Sequence, residues 1–258
     1  MISNGKFYES QFEEATIELL REAHWQYAFG DDIHRKYTDP LIEEDLRNFL
    51  TVQYKDKNLT TSEMDSIVAN LRNTGGQNDY YALRNAFLLY RDGYDFAYSD
   101  GRDNPFRLEY IDFEHPDHNI FRCVNQFVME QGRENRRPDI LLFINGIPVC
   151  IIELKNPTKQ NATIHDAHTQ ICTRYMRDIP ALLKYCALAV ISDGAKNALG
   201  TTYTPFEFFY EWKKIENEDK AGKGLDTLRT LIRGALSPER ILEILRDYVY
   251  FPDPTKED

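Results

Sequence analysis

The run PDILLFINGIPVCIIELKNP, Pro138 to Pro157, constrains the fold more than any other part of the chain. Two apolar segments, Ile140 to Ile144 and Ile147 to Leu154, are separated only by Asn145-Gly146. That dipeptide accepts the positive φ angles of a tight hairpin, so two paired strands are expected. Charged residues sit where such strands should be most apolar: Asp139 opens the first, and Glu153 and Lys155 end the second. Side chains alternate along a strand, so Glu153 and Lys155 share a face and Leu154 takes the other. An unpaired carboxylate beside a core costs on the order of several kcal/mol, so these groups need partners. A divalent metal shared by Asp139 and Glu153 is one.

With 258 residues, 42% of them hydrophobic, the chain can bury a substantial core in one large domain or two small ones. No apolar run is long enough to cross a bilayer, and Met1-Ile2-Ser3-Asn4-Gly5-Lys6 lacks the apolar centre of a secretion signal. The expectation is a cytoplasmic protein with no membrane partner. Cys123, Cys150, Cys172 and Cys186 are widely spaced, without a Cys-x-x-Cys pair, and read as reduced core thiols rather than zinc ligands. A net charge of −11 argues against broad adhesion to nucleic acid, because each neutralised phosphate needs a nearby cation. It leaves room for a local basic channel. Arg133, Arg136 and Arg137 precede Asp139, and Lys155, Lys159, Arg174 and Arg177 follow Glu153. Any one of these alone reads as a solvated surface charge; their shared place beside the acids raises the other reading.

Along the chain, Glu9 to His24 has helical periodicity through Phe12, Ile17, Leu19 and Leu20, with Glu13 beside the apolar stripe. A second helix restarts at Pro40 to Leu46 with acids in its first turn, and Thr51 to Thr60 reads as a loop. Helices over Ser62 to Asn73 and Asn78 to Tyr90 end at Gly75-Gly76 and near Gly93. From Phe106 the pattern turns to short β-type runs, Leu108 to Phe113 and Asn119 to Met129, and then the hairpin, closed by Asn156-Pro157. Ala162 to Met176 returns to helical spacing, Pro180 to Tyr185 is a helical turn, and Cys186 to Ile191 is a wholly apolar strand. Strand, crossover helix and second apolar strand imply a mixed sheet buried by helices on both sides. Ser237-Pro238-Glu239 starts a last helix, with serine as cap and proline in the first turn. The division expected is a helical N-terminal layer over 1–105, a core over 106–235 and a linker over 236–258.

A Pro-Asp pair or a Glu-x-Lys triplet means little alone. Here the aspartate begins one apolar strand, the Glu-x-Lys ends the next, and a helix with Gln170 and Tyr175 follows. Two carboxylates are hard oxygen ligands suited to Mg2+ or Mn2+, and a metal beside a lysine can generate hydroxide near a scissile phosphate. Lys155 in a structural ion pair with one acid is the bland alternative. His115-Pro116-Asp117-His118 and His165-Asp166-Ala167-His168 have no cysteine partner at finger spacing, so neither is read as a zinc site. The aromatic cluster of Tyr203, Phe206, Phe208, Phe209, Tyr210 and Trp212 reads as core or docking surface before base stacking.

The combination resembles the PD-(D/E)xK nuclease superfamily. Its flanks VNQFVMEQG, RRPDILLFINGIPVCIIELKNPT, ISDGAKNALGTT and PFEFFYEWKK are similar to the N-terminal nuclease region of the restriction subunit of type I restriction-modification systems. The resemblance covers most of the chain, weakly between about Ala28 and Arg107 and strongly after Asn119. It implies an α/β fold with a restriction-endonuclease-like mixed β-sheet flanked by helices and a helical N-terminal elaboration. It implies metal-binding acids at Asp139 and Glu153, an additional acid at Glu13, a catalytic lysine at Lys155, and DNA contacts from Gln170 and Tyr175. The family spacing is Gln-x-x-x-Tyr; here it is Gln-x-x-x-x-Tyr, one residue longer, which on a regular helix faces Tyr175 differently. Arg136 and Arg137 are weaker candidates for phosphate contacts. Family members continue into an ATP-driven motor. This chain has no Gly-x-x-x-x-Gly-Lys-Ser/Thr loop, and Ala221-Gly222-Lys223-Gly224 lacks its spacing and hydroxyl.

The expected function is therefore a magnesium-dependent DNA endonuclease domain, with manganese as a substitute and ATP needed only by the full-length subunit. The chain is expected to be a fragment cut near the motor boundary, working with methylation and specificity subunits. A non-catalytic assembly module that keeps the nuclease scaffold is the rival, and metal-dependent stabilisation separates the two. A stand-alone repair or recombination nuclease is disfavoured by the flanks.

Overall fold

The computed structural model describes residues 4–155, 163–215 and 225–253. Asn156-Pro157, Lys159 and Ala221 to Gly224 lie outside them. The first part runs α1 (Asn4–Glu22), β1 (Gln26–Phe29), α2 (Glu43–Gln53), α3 (Thr61–Asn73) and α4 (Asp79–Asp92). Two small ribbons follow, β2 (Tyr94–Phe96) with β3 (Phe106–Leu108), and β5 (Met129–Gln131) with β6 (Glu134–Arg136), the strand β4 (Phe121–Asn125) lying between them. Then come the hairpin strands β7 (Ile140–Ile144) and β8 (Ile147–Leu154) and helix α5 (Ile164–Thr169). A π-helical segment, Gln170–Tyr175, continues α5 into α6 (Met176–Asp178). Beyond these stand α7 (Pro180–Leu183), β9 (Leu188–Ser192), β10 (Asn197–Thr201), α8 (Leu225–Ala235) and α9 (Pro238–Glu243).

Six strands make one mixed sheet in the order β1-β4-β7-β8-β9-β10. β4, β7 and β8 are antiparallel, β1 joins β4 and β9 joins β8 in parallel, and β10 returns antiparallel to β9. A parallel neighbour needs a crossover, and α5 to α7 supply it between β8 and β9. The architecture is mixed α/β, a restriction-endonuclease-like sheet flanked by helices, as the sequence implied. Every residue of β7 and β8 is buried. Ile140, Leu142 and Ile144 face the core built with α1 to α4 and α8, while Leu141 and Phe143 face the core under α5 to α7.

The hairpin forms as its sequence requires. Asn145 (φ +50°) and Gly146 (φ +75°) both take the left-handed region, as a two-residue turn demands. The pairing slips between Leu142 and Phe143, where Cys150 and then Pro148 stand opposite. Proline cannot donate to a ladder, and an irregularity in pairing is where an interior strand can tolerate one.

Several elements differ from expectation. Gln26–Phe29 is a short edge strand with two exposed residues, too short and too polar for a β pattern to register. Helix α2 runs on to Gln53 through part of the stretch expected to be loop. The expected strand Leu108 to Phe113 ends at Leu108, and beyond it Tyr110 and Ile111 are core residues in a loop. Ser237 occupies the cap position of α9 but its hydroxyl makes no capping bond; Pro238 has no amide to receive one, and the helix is held by Ile241 N donating to Ser237 O at 2.9 Å. Trp25 Nε1 donates to Leu236 O at 2.7 Å, tying the start of the chain to its last helices.

Candidate active site

The acids predicted from the hairpin stand at the end opposite its turn. Ile140 pairs with Ile152, and one step outward come Asp139 and Glu153. Leu154 N donates to Asp139 Oδ2 at 2.7 Å, so the carboxylate replaces a rung of the ladder at the strand's mouth. Glu153, on β8, is 1% exposed. Its Oε1 accepts from Lys155 Nζ at 2.8 Å. The ion pair foreseen as the bland alternative is thus present, within a larger cluster.

Gln170 and Tyr175 complete that cluster from above. Lys155 Nζ donates to Gln170 Oε1 at 2.7 Å, Gln170 Nε2 donates to Tyr175 Oη at 2.6 Å, and Tyr175 Oη donates to Glu153 Oε2 at 3.3 Å. Four side chains close a ring. The extra residue between Gln170 and Tyr175 is absorbed by the backbone: the segment is π-helical, with Met176 N reaching back to Ile171 O, a five-residue step. On an α-helix, residues five apart point about 140° away from each other. The wider π turn keeps them on one face.

The electrostatics are those of a crowded anionic pocket. Burial, then the Glu153 carboxylate beside it, and last the Glu13 carboxylate push the Asp139 carboxyl well above its ordinary range, against the pull of Leu154 N and Lys155. Burial and Glu153 likewise push the Tyr175 phenol far up, so it keeps its proton and can donate.

Glu13 reaches this region from α1, held by two side chains that sequence reasoning passed over. Asn125 Nδ2 donates to Glu13 Oε1 at 2.7 Å, and Gln126 Nε2 donates to Oε1 and Oε2 at 3.0 and 3.3 Å. Gln126 adopts φ +55° to do so, a conformation a non-glycine residue rarely takes outside functional or turn positions. The available signal was an Asn-Gln pair interrupting the apolar residues at the end of β4.

The basic residues are placed less simply. Arg136 is held by Asp178, Nε to Oδ2 at 2.7 Å, and by Glu134. Arg177 also grips Asp178, Nε to Oδ1 at 2.6 Å. Arg137 and Arg174 are exposed. His168 Nε2 donates to Thr204 O at 2.9 Å, and the ring packs edge-on to Phe206 and Phe209, which fixes part of the aromatic cluster; Phe208 and Tyr210 stay largely exposed. Cys123, Cys150 and Cys186 are buried free thiols and Cys172 is partly buried. No described helix is long and apolar enough to cross a membrane.

A family model described as "Type I restriction enzyme R protein N terminus" matches residues 6–208. The chain is 29% identical over 255 residues to the type I restriction enzyme HindI endonuclease subunit of Haemophilus influenzae, covering 94% of this chain and 24% of that protein. It is 28% identical over 261 residues to the putative MjaIXP endonuclease subunit of Methanocaldococcus jannaschii, covering 92% of this chain and 25% of that one. A shorter match, 31% over 133 residues, is to the EcoprrI endonuclease subunit of Escherichia coli, covering 48% of this chain and 40% of that protein. The chain thus spans about a quarter of the length of the first two relatives. With a match over most of its length, the chain belongs to the family of type I restriction enzyme R protein N termini.

Proposed function

We propose that this region is the nuclease domain of a type I restriction enzyme, a PD-(D/E)xK endonuclease that hydrolyses DNA phosphodiesters with Mg2+, or Mn2+ in its place. The observation that carries the reading is the meeting of Asp139, Glu153 and Lys155 at one mouth of the sheet, with the charge of Glu13 felt there. Stability alone would not assemble three acids where burial and mutual repulsion hold one of them above its ordinary range.

The donor set suits a hard divalent cation. Asp139, Glu153 and Glu13 would hold it through carboxylate oxygens, and the repulsion at Asp139 is what such a charge relieves. When bound, the ion would supply a water of lowered pKa and neutralise charge on the phosphate. Lys155, fixed by Glu153 and Gln170, presents its ammonium where it can orient the attacking water and stabilise charge growing on the phosphate. Tyr175, a proton donor, steadies the second oxygen of Glu153. Gln170 sets the lysine, and Arg137 is the freer of the two arginines for a phosphate contact.

In the intact enzyme the relatives' length leaves room for an ATP-driven motor that translocates duplex before cleavage, in complex with methylation and specificity subunits that choose the site. The test is plasmid cleavage by the full-length subunit in its complex, comparing the parent with Lys155→Ala and Asp139→Ala. Loss of about a hundredfold or more with ATP hydrolysis intact is expected, in the range for a positioned catalytic group. Unchanged cleavage by a folded variant overturns the assignment.

A further inference from the structure

The loop entering β4 carries a second constellation, at the other end of the hairpin from the acids. Asp112 is buried, and its Oδ1 is locked by the backbone amides of Glu114 and His115 at 3.0 and 2.9 Å. Its Oδ2 faces two imidazoles through the same ring atom: His118 Nδ1 at 2.9 Å and His115 Nδ1 at 3.4 Å. The two rings lie nearly parallel, 4.8 Å apart with 21° between planes. All three donor atoms fall within 4.8 Å of one another. Sequence reasoning dismissed this histidine pair for want of a cysteine. The third donor is an aspartate from the start of the same loop.

Two of the three donor separations, 2.9 and 3.4 Å, are those of neighbouring ligands around one ion, and the third falls within 4.8 Å. Four-coordinate zinc, with bonds near 2.0–2.1 Å, places neighbouring donors about 3.3 Å apart. Without a cation, Oδ2 accepts from Gln53 Nε2 at 3.1 Å and meets His118 Nδ1, while His115 Nδ1 stands 3.4 Å from the same oxygen. With one, both Nδ1 atoms offer lone pairs and Gln53 stays on Oδ2 as the outer partner that orients a ligating carboxylate. The loop is otherwise rigidly seated. Asn119 Nδ2 donates to Asp112 O at 2.7 Å, and Asn119 Oδ1 accepts from Asp112 N and from Asn145 Nδ2 at the hairpin turn.

We propose that Asp112, His115 and His118 form a site for a borderline transition cation, zinc above all, with a water as fourth ligand and a structural role. By the strand rise, β8 puts it roughly 20 Å from the acids, so it is separate from the nuclease centre. The turn Pro116–His118 packs on α9, and Glu114 Oε1 lies 3.6 Å from Arg246 Nη1 just beyond that helix. A cation here would pin the loop between Gln53 at the end of α2 and the last helices of the chain.

The test uses this chain without an affinity tag. Zn2+ is titrated in competition with a chromophoric chelator, and Co2+ is added as a spectroscopic substitute. One ion per chain with micromolar or tighter affinity is expected, with the intense visible bands of four-coordinate cobalt and no thiolate charge-transfer band. His115→Ala and His118→Ala should each weaken Zn2+ at least tenfold, and the double variant should abolish the site. Asp139→Asn should leave it unchanged. Both histidines are more than half exposed, so the variants should melt like the parent in chelator. Where one does not, His118→Gln, which keeps a donor toward Asp112 without an imidazole, carries the same comparison. Absence of micromolar binding, or binding equal in the double variant, overturns the proposal.

Discussion

The two ends of the β7–β8 hairpin bury polar groups in opposite ways. At the turn, Asn145 is fully buried and every side-chain group is matched: Oδ1 accepts from Ile120 N at 2.7 Å, and Nδ2 donates to Tyr110 O and Asn119 Oδ1 at 2.9 and 2.8 Å. All of these groups are neutral. At the mouth, two acids and a lysine crowd together, with a third carboxylate near enough to raise Asp139. A satisfied neutral network rigidifies a fold at little cost. A cluster of like charges costs stability, and such conflicts are expected where function is held. One strand pair thus carries an end built for stability and an end built for something else.

The contrast breaks most readily at the turn. A Cβ on Gly146 would stand 2.1 Å from Ile42 O, at φ +75°. Ile42 N in turn donates to Gly146 O at 2.9 Å, so the start of α2 is docked on this peptide and cannot step aside freely. Gly146→Ala should cost roughly 2–4 kcal/mol, lowering Tm by about 5–10 °C in a chain of this size. Asn145→Ala should come next, at about 2–3 kcal/mol, because it strands Ile120 N and Tyr110 O and takes one of two donors from Asn119 Oδ1. Chemical denaturation of both variants measures this. Losses below about 0.5 kcal/mol would mean the turn is not the stable end.

The turn was also the most legible part of the sequence. Asn145-Gly146 between two apolar runs specifies a conformation locally, and the acids were found because they stood at fixed places on those runs. Ring closure by Gln170 and Tyr175 was harder to read, since the extra residue makes sense only if the helix widens, and nothing in Ile171-Cys172-Thr173-Arg174 announces a π turn. Asn125 and Gln126 were missed because their role is a contact to Glu13 more than a hundred residues earlier. Helix α8 was legible but unread: Leu228, Leu231, Ile232 and Ala235 are buried at helical spacing. The aspartate behind His115 and His118 could not be inferred from spacing alone, because the loop has to fold back before Asp112 meets them.

At the mouth, removing charge should have the reverse sign. The folded-state Asp139 carboxyl is raised above its unfolded value by burial, Glu153 and Glu13. The folded protein therefore binds a proton that the unfolded chain has released. Its contribution to stability is full below the ordinary carboxylate value and is lost as pH rises through the elevated one. Asp139→Asn keeps an oxygen for Leu154 N and cannot ionise. In metal-free buffer it should match the parent near pH 4 and exceed it as pH rises, by about the 2–4 °C that one kcal/mol is worth in a chain this size. Added Mg2+ should then stabilise the parent and leave the variant unmoved. A difference that is flat in pH, or a variant less stable at neutral pH, would erase the distinction between the two ends.

The smallest effect should come from shortening the crossover helix. Deleting Thr173, which is exposed, restores the four-residue spacing between Gln170 and Tyr175. If the π segment exists to absorb one surplus residue, the deletion should let it relax to a regular helix, with α5 and α6 keeping their faces on the sheet. Gln170 would still reach both Lys155 and Tyr175, and Tm should move by no more than about 2–4 °C, the shift for one kcal/mol. Deleting a residue from the regular helix α3 provides the contrast. There it rotates every later buried position, Ile67, Val68 and Leu71 among them, by about 100° off the core and should unfold the chain. Were the Thr173 deletion as damaging as the α3 deletion, the widened turn would be holding the mouth in a geometry that four-residue spacing cannot reproduce, and the ring of Glu153, Lys155, Gln170 and Tyr175 would depend on the π turn itself rather than on the two side chains it presents.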